Sequence, residues 1–409
     1  MSLFTSFDLL LPKAEYMEKW PVVACDQFTS QPEYWQELKN TVGSAPSALN
    51  CILPEVELKS CGEDRYDLIR GTMQEYLDGG IFNCYADSFV YIERSLLDGS
   101  VRPGIVGIID LEAYDFNADA VSPIRATEKT VVERIPPRMK VRRGAPIELS
   151  HVLLLCDDEK RGIIEPWAKE KNNLTKLYDL ELMQGGGHIS AWLIDGENAR
   201  KLQAAVDSYC ERKHAQYPDI APMLFAVGDG NHSLATAKAC YEELKASGAD
   251  ADVLKRARYA MVELENIMDE SQKFEPIHRI IESCDSEKLL QRLKDSCCAD
   301  SGYEIKYYSA DKEGLICLDP AKGVLPIAIL QTALDEYLSI DAGEIDYIHG
   351  EDTLRELAGK PGSLAFALKA LPKDDFFRGI ATDGVLPRKT FSMGEAQEKR
   401  YYIEARKIR

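Results

Sequence analysis

Residues 228–233 read Gly-Asp-Gly-Asn-His-Ser. Asp229 can take a proton or ligate Mg²⁺, and His232 can supply a hydrogen bond or a proton. Gly228 and Gly230 permit positive φ and let a ligand approach the backbone closely. Asn231 and Ser233 add short polar side chains, and Ser233 suits the N-cap of a following helix. A second stretch, "VVACDQFTSQ" at residues 22–31, ends an apolar run in Asp26 and Gln27. A third, "SPIRATEKTVVERIPPRMKVRR" at residues 122–143, is the most basic part of an acidic chain. Arginine forks bind phosphate bidentately, so Arg125, Arg134 and Arg138 are the candidates to neutralise an anion. Pro136-Pro137 stiffen the approach to Arg138. Glu263 and Asn266 close the run "RARYAMVELENI" as either ligands or loop anchors.

These residues need elements to hold them. "MLFAV" before the glycines has the composition of a buried strand, and "LATAKACYEEL" after them that of a helix. The connection is therefore strand, tight loop, helix. A helix N-terminus there presents unpaired N–H groups and partial positive charge, which can hold a phosphate or carboxylate. The loop is neither G-x-x-x-x-G-K-[ST] nor G-x-G-x-x-G. Pro21–Cys25 reads as a short buried strand, and Asp26 and Gln27 follow its carboxyl end, where α/β ligand sites form. Ser30 and Pro32 fit the cap and first turn of the next helix. Strand and helix signals intermix along the chain, which predicts an α/β (α+β) fold with a mixed sheet. At 409 residues the chain is too long for one ordinary core. The expected division is a core of residues 1–280 and an α/β lobe of residues 281–409. The alternating "RYYIEARKI" is a terminal strand placed to return to the core.

Composition narrows the classes. Apolar residues make up 45% and charged residues 29%, as in globular proteins. A net charge of −19 argues against nucleic-acid partners and against an anionic membrane surface. No secretory leader and no apolar run of membrane-spanning length is read. The 11 cysteines are scattered without C-x-x-C pairs, which points to free thiols in a cytoplasmic protein. Only Cys25 lies in a stretch with other functional signals. G-x-S-x-G and H-E-x-x-H are absent, so serine hydrolase and zinc protease chemistry have no support. The expected partner is a small-molecule substrate; the oligomeric state stays open, with a homo-oligomer among the options.

"VVACDQFTSQPEYW", "RATEKTVVERIPPR", "GDGNHSLATAK" and "FSMGEAQEKRYYIE" together resemble the bacterial and archaeal family called domain of unknown function 1015. The resemblance spans nearly the whole chain, with four motifs in order. The family's core motif looks like Asp-Gly-His-His-Arg, matched here by Asp229, Gly230, Asn231, His232 and Ser233. That motif is in turn similar to the nucleotide-phosphate box of the ParB/sulfiredoxin fold, which includes kinases of free serine. The resemblance implies a ParB/sulfiredoxin-like core, a nucleotide (ATP or ADP) with Mg²⁺, and serine metabolism. Ser233 stands where relatives often have arginine, so charge neutralisation shifts to backbone amides, His232 and an arginine from elsewhere. Two functions follow as expectations. One is a phosphotransferase or phosphatase acting on serine, phosphoserine or a similar hydroxy acid. There Gly228–Ser233 hold phosphate, Asp26 or Asp229 takes the proton or positions Mg²⁺, and Gln27, Glu263 and Asn266 bind substrate. The other is a nucleotide- or metabolite-sensing module without turnover.

Overall fold

The computed structural model describes every residue except 1, 59, 131, 150, 151, 217–220, 222, 388 and 393. No candidate site residue is among these, although Val131 and Met393, inside two quoted motifs, are. The chain forms two compact units. The first comprises residues 1–126, 130–272 and 394–409, and the second residues 127–129 and 273–393.

The first unit is built on a mixed sheet that has eleven strands among the described residues. Its spatial order is Thr175–Glu181, His188–Ile194, Phe82–Ser95, Val101–Asp110, Tyr259–Asn266, Val152–Cys156, Phe225–Asp229, Ile124–Ala126 and Tyr114–Asp115. Phe4–Thr5 and Phe7–Pro12 add to Val101–Asp110 and Phe82–Ser95. Most neighbours run antiparallel, but Tyr259–Asn266 runs parallel to Val152–Cys156, and Ile124–Ala126 runs parallel to both Phe225–Asp229 and Tyr114–Asp115. Side chains alternate across the sheet, so each face carries its own core. Met261 joins one core, whereas Ala260, Val262 and Leu264 join the other. The first face is covered by helices Pro32–Val42 and Glu63–Asp78, through Trp35, Leu38, Ile69 and Met73. The second is covered by Gly196–Gln216 and Asn231–Ala246, through Leu202, Val206, Leu234 and Tyr241. "VLLLC" at 152–156 is wholly buried, which is why it reads as an unbroken apolar run.

The second unit has a six-stranded sheet among the described residues. Its order is Glu313–Leu318, Cys298–Ser309, Leu364–Ala367, Glu275–Glu282 and Glu344–His349, with Phe391–Ser392 on Glu275–Glu282. His278 accepts the Leu368 N–H at 3.1 Å there, an anchoring role.

The C-terminal stretch does not form one strand. Tyr401–Tyr402 pairs antiparallel with Val22–Val23, and Arg406–Lys407 with Ile147–Glu148. Between them the Ile403 carbonyl accepts the Trp20 Nε1–H at 2.9 Å. The stretch is anchored by charge at Glu148, whose carboxylate is buried. Arg142 Nη1 and Arg406 Nε each donate to it at 2.6 Å, and the Met261 N–H at 3.2 Å. Burial alone would raise the Glu148 pKa, but the two guanidinium groups hold it below the ordinary carboxylate value. Stability from such a group is present above the unfolded pKa and lost as pH falls through the folded one. Glu148→Gln leaves two guanidinium groups beside a neutral amide, and the expected loss is about 3–5 kcal/mol at pH 7. The loss should shrink below about pH 4, where the wild-type carboxylate protonates during unfolding. Urea unfolding of both proteins across that pH range checks it.

Candidate functional site

The strand Phe225–Asp229 pairs with Val152–Cys156 through Ala226, Val227 and Asp229, with a register shift at Gly228. Gly228 is thus an inserted residue that bends the strand end. Gly230 follows with φ +89° as the N-cap of helix Asn231–Ala246. A Cβ there would lie 3.2 Å from Val152 Cγ2 and 3.3 Å from the Arg400 guanidinium, so both backbone conformation and space favour glycine. The cap is therefore Gly230 and not Ser233, which sits in the first helical turn.

Asp229 accepts the Gly230 N–H through Oδ1 at 2.8 Å and Arg400 Nη1 through Oδ2 at 2.6 Å. Arg400 Nη2 reaches the Asp26 carboxylate at 3.1 and 3.3 Å. One guanidinium, its side chain fully buried, thus joins the two acidic loops. The backbone explains how. Pairing of Tyr401–Tyr402 with Val22–Val23 continues into an Ala24 N–H to Arg400 C=O bond of 3.0 Å. That short ladder sets Arg400 beside the Asp26 loop. The loop itself is fixed by Gln27 N–H to Ala24 C=O at 3.0 Å and Trp35 Nε1–H to Phe28 C=O at 3.3 Å. The Gln27 side chain donates to Asp26 at 3.4 Å.

Burial raises the Asp26 pKa, but Arg400 outweighs it and holds the carboxyl below its ordinary value, so Asp26 is ionised at neutral pH. Burial likewise disfavours charge on Arg400, yet Asp26 and Asp229 carry its pKa well above the usual value. The His232 pKa is lowered, first by burial and then by the positive charges of Arg138 and Arg134. The imidazole is therefore neutral at pH 7. Helix Ile135–Arg142, which carries Arg138, packs against helix Asn231–Ala246. Arg138 donates Nη2 to Glu55 at 2.6 Å and Nη1 to the Arg134 carbonyl at 2.8 Å.

The fold brings together Asp26, Gln27, Gly228, Asp229, Gly230, Asn231, His232 and Ser233, with Arg134 and Arg138 within electrostatic reach of His232. Other expectations need correction. Arg125 is buried in strand Ile124–Ala126, and its Nε and Nη2 serve the Ser122 and Ala221 carbonyls at 2.7 Å each; it ties two chain segments together. Asn266 is an anchor and not a substrate ligand. Its amide donates to the Asp158 carbonyl at 3.0 Å and to Glu165 at 2.8 Å, and its oxygen accepts the Asp158 and Met268 N–H groups. Glu263 is buried where a Cβ on Gly104 would come within 2.8 Å of its carboxylate. It lines a small internal void with Arg94, Arg102 and Arg400, behind the site. Both Asp229 oxygens are hydrogen-bonded, and no group of three metal-ligating side chains occurs among the described residues; a Mg²⁺ ion here would take its remaining ligands from waters and phosphate oxygens. Cys25 has its thiol pushed up to about 11 by burial and by Asp26, which leaves it protonated and a poor nucleophile. Tyr402 donates to its sulfur at 3.5 Å.

Sequence reasoning missed Arg400 and Glu55. Arg400 lay inside the quoted "EKRYYIE" motif, but nothing local distinguishes it from the chain's other basic residues. Its partners lie 171 and 374 positions away.

Residues 7–346 match the family described as "Protein of unknown function (DUF1015)". The chain belongs to this family. No curated protein matches it. Among solved structures it is similar to free serine kinase in complex with AMP, at 13% identity and TM-score 0.37, covering 72% of this chain and 89% of that one. It is also similar to a conserved hypothetical protein from Pyrococcus furiosus, at 14% identity and TM-score 0.35, covering 74% and 94%. These likenesses are distant.

Removing Arg400 strands two carboxylates. Arg400→Met should cost about 3–5 kcal/mol at pH 7, and the deficit should narrow below about pH 4 as Asp26, whose pKa Arg400 lowers, protonates. Thermal unfolding against pH reads this; a pH-independent deficit would show that charge is not the cause. The His232 midpoint, followed by NMR titration, should lie below the ordinary histidine value and rise in Arg138→Gln, because a repelling positive charge is removed.

Proposed function

We propose that the protein is a small-metabolite phosphotransferase acting between a nucleotide, ATP or ADP, and the hydroxyl of a small hydroxy acid, with serine the first acceptor to test. The observation that supports this best is an ionised Asp26, held by a buried arginine, beside a helix whose N-cap is Gly230. The first-turn amides of Asn231–Ser233 are suited to phosphate oxygens, with Gly230 allowing close approach. Arg134 and Arg138 offset charge that develops as the phosphoryl group moves. Neutral His232 donates a hydrogen bond to a phosphate oxygen. The acceptor hydroxyl oxygen forms a bond to the terminal phosphorus while the bridging P–O bond breaks. ADP leaves from ATP, or AMP from ADP, and the hydroxyl proton passes to the Asp26 carboxylate. Asp229 acts through Arg400, whose orientation it fixes.

The strand, glycine loop and helix support reading the first unit as ParB/sulfiredoxin-like, on the motif resemblance. Eleven free cysteines support a reducing, cytoplasmic setting.

The test is product formation from serine and related hydroxy acids with ATP or ADP, alongside nucleotide-dependent thermal stabilisation. Asp26→Asn should reduce kcat by about 10²–10⁴-fold while nucleotide stabilisation persists. Nucleotide binding by the wild type with no phosphorylated product for any acceptor would sink the transferase reading and leave a sensing module. The acid limb of the rate should fall below the ordinary aspartate range, following the lowered Asp26 pKa.

A further inference from the structure

Beside the first turn of helix Asn231–Ala246 lies a cavity of about 120 Å³ within the first unit. Its inner wall is apolar and buried, formed by Ile52, Leu53, Met73, Leu149, Ala237 and Met261 among others. Glu55, Arg138 and Ser233 line it at half-buried positions. These residues join the cavity to the N-terminal end of the helix. The polar groups of the wall have partners already. Thr236 Oγ1 donates to the His232 carbonyl at 2.7 Å. The Glu148 carboxylate is held by Arg142, Arg406 and the Met261 N–H. Tyr402 bonds to Cys25.

This combination restricts what fits. A hole of this size, near the ~150 Å³ of an engineered cavity that admits benzene, holds one ring or a short branched chain. It is too small for a nucleoside, and whole-ligand pockets run to about 300–1,000 Å³. A nucleobase edge would ask for polar partners, and the wall's donors and acceptors are committed elsewhere. Serine would leave the cavity unfilled.

We propose that the cavity is the acceptor's side-chain pocket. On this reading the acceptor is an anionic hydroxy acid bearing a phenyl or branched aliphatic group of about four to six carbons, its charged head at Ser233 and Arg138. The inference deepens the proposed phosphotransferase and rests on that reading for the head group, but the pocket itself is testable without it. Met73 and Met261, on the wall, are built-in reporters.

The experiment is methyl NMR of the full-length protein, ¹³C-labelled at methionine, titrated with benzene, phenyl phosphate and inorganic phosphate, with ATP and ADP binding measured in parallel. Saturable shifts of the Met73 and Met261 methyls are expected with benzene and with phenyl phosphate. Phenyl phosphate should bind about tenfold or more tighter than inorganic phosphate, from burial of the ring. Ala237→Leu, which fills the cavity, should abolish the benzene shifts and bring the two phosphates within about twofold of each other; Ala145→Val serves if that variant does not fold. Benzene shifts without any anion or nucleotide binding would keep the pocket and overturn the phosphotransferase reading. Failure of both benzene and phenyl phosphate to move the two methyls, or equal shifts in the filled variant, overturns the inference whatever nucleotides do.

Discussion

One guanidinium organises the site. Arg400 is buried, and its charge is tolerable only because Asp26 and Asp229 both face it. Removing a full positive charge from water costs several kcal/mol, so the geometry must be good or the fold does not form. That demand runs both ways. The two carboxylates come from loops far apart in sequence, and each is aimed by the same counter-ion. The arrangement leaves Asp26 ionised yet oriented, which is what a group receiving a proton from a hydroxyl needs.

The segment carrying Arg400 repeats the device. Residues 400, 402, 404 and 406 are Arg, Tyr, Glu and Arg, all buried. Arg400 meets Asp26 and Asp229, and Tyr402 meets Cys25. Glu404 accepts from Tyr178 at 2.5 Å, and Arg406 meets Glu148. Tyr401, Ile403 and Ala405 between them enter the apolar core, which the Tyr402 ring also joins. The period of two, with the charged groups all on one side, is that of an extended chain. Because both sides are buried, the stretch acts as an internal strut and not as an edge strand. The proposed function thereby depends on residues that would not touch a reacting atom. Glu148 fixes one end of the strut, and the other end bears the arginine that orients Asp26.

The neighbourhood of His232 shows why burial and charge must be read together. A histidine between two arginines stays neutral, so it offers one hydrogen bond and one lone pair in place of a second positive charge. In the proposed function the positive charge toward an anion comes from Arg134 and Arg138 instead.

Local patterns determined a good deal. The apolar run, the glycines and the alanine-rich stretch specified strand, turn and helix around Asp229 and His232, because backbone conformation there depends on neighbours in sequence. The short strand before Asp26 and the cluster of arginines after Ser122 were legible for the same reason. Only the tertiary structure decided which charges meet. Arg125 looked as suitable as Arg138, but the sheet buries it against two carbonyls. Asn266 looked like a ligand, but its amide is spent on Asp158, Met268 and Glu165. Arg400 carried no local mark at all, since electrostatic pairing acts through space and its partners are brought near only by strand pairing across the chain.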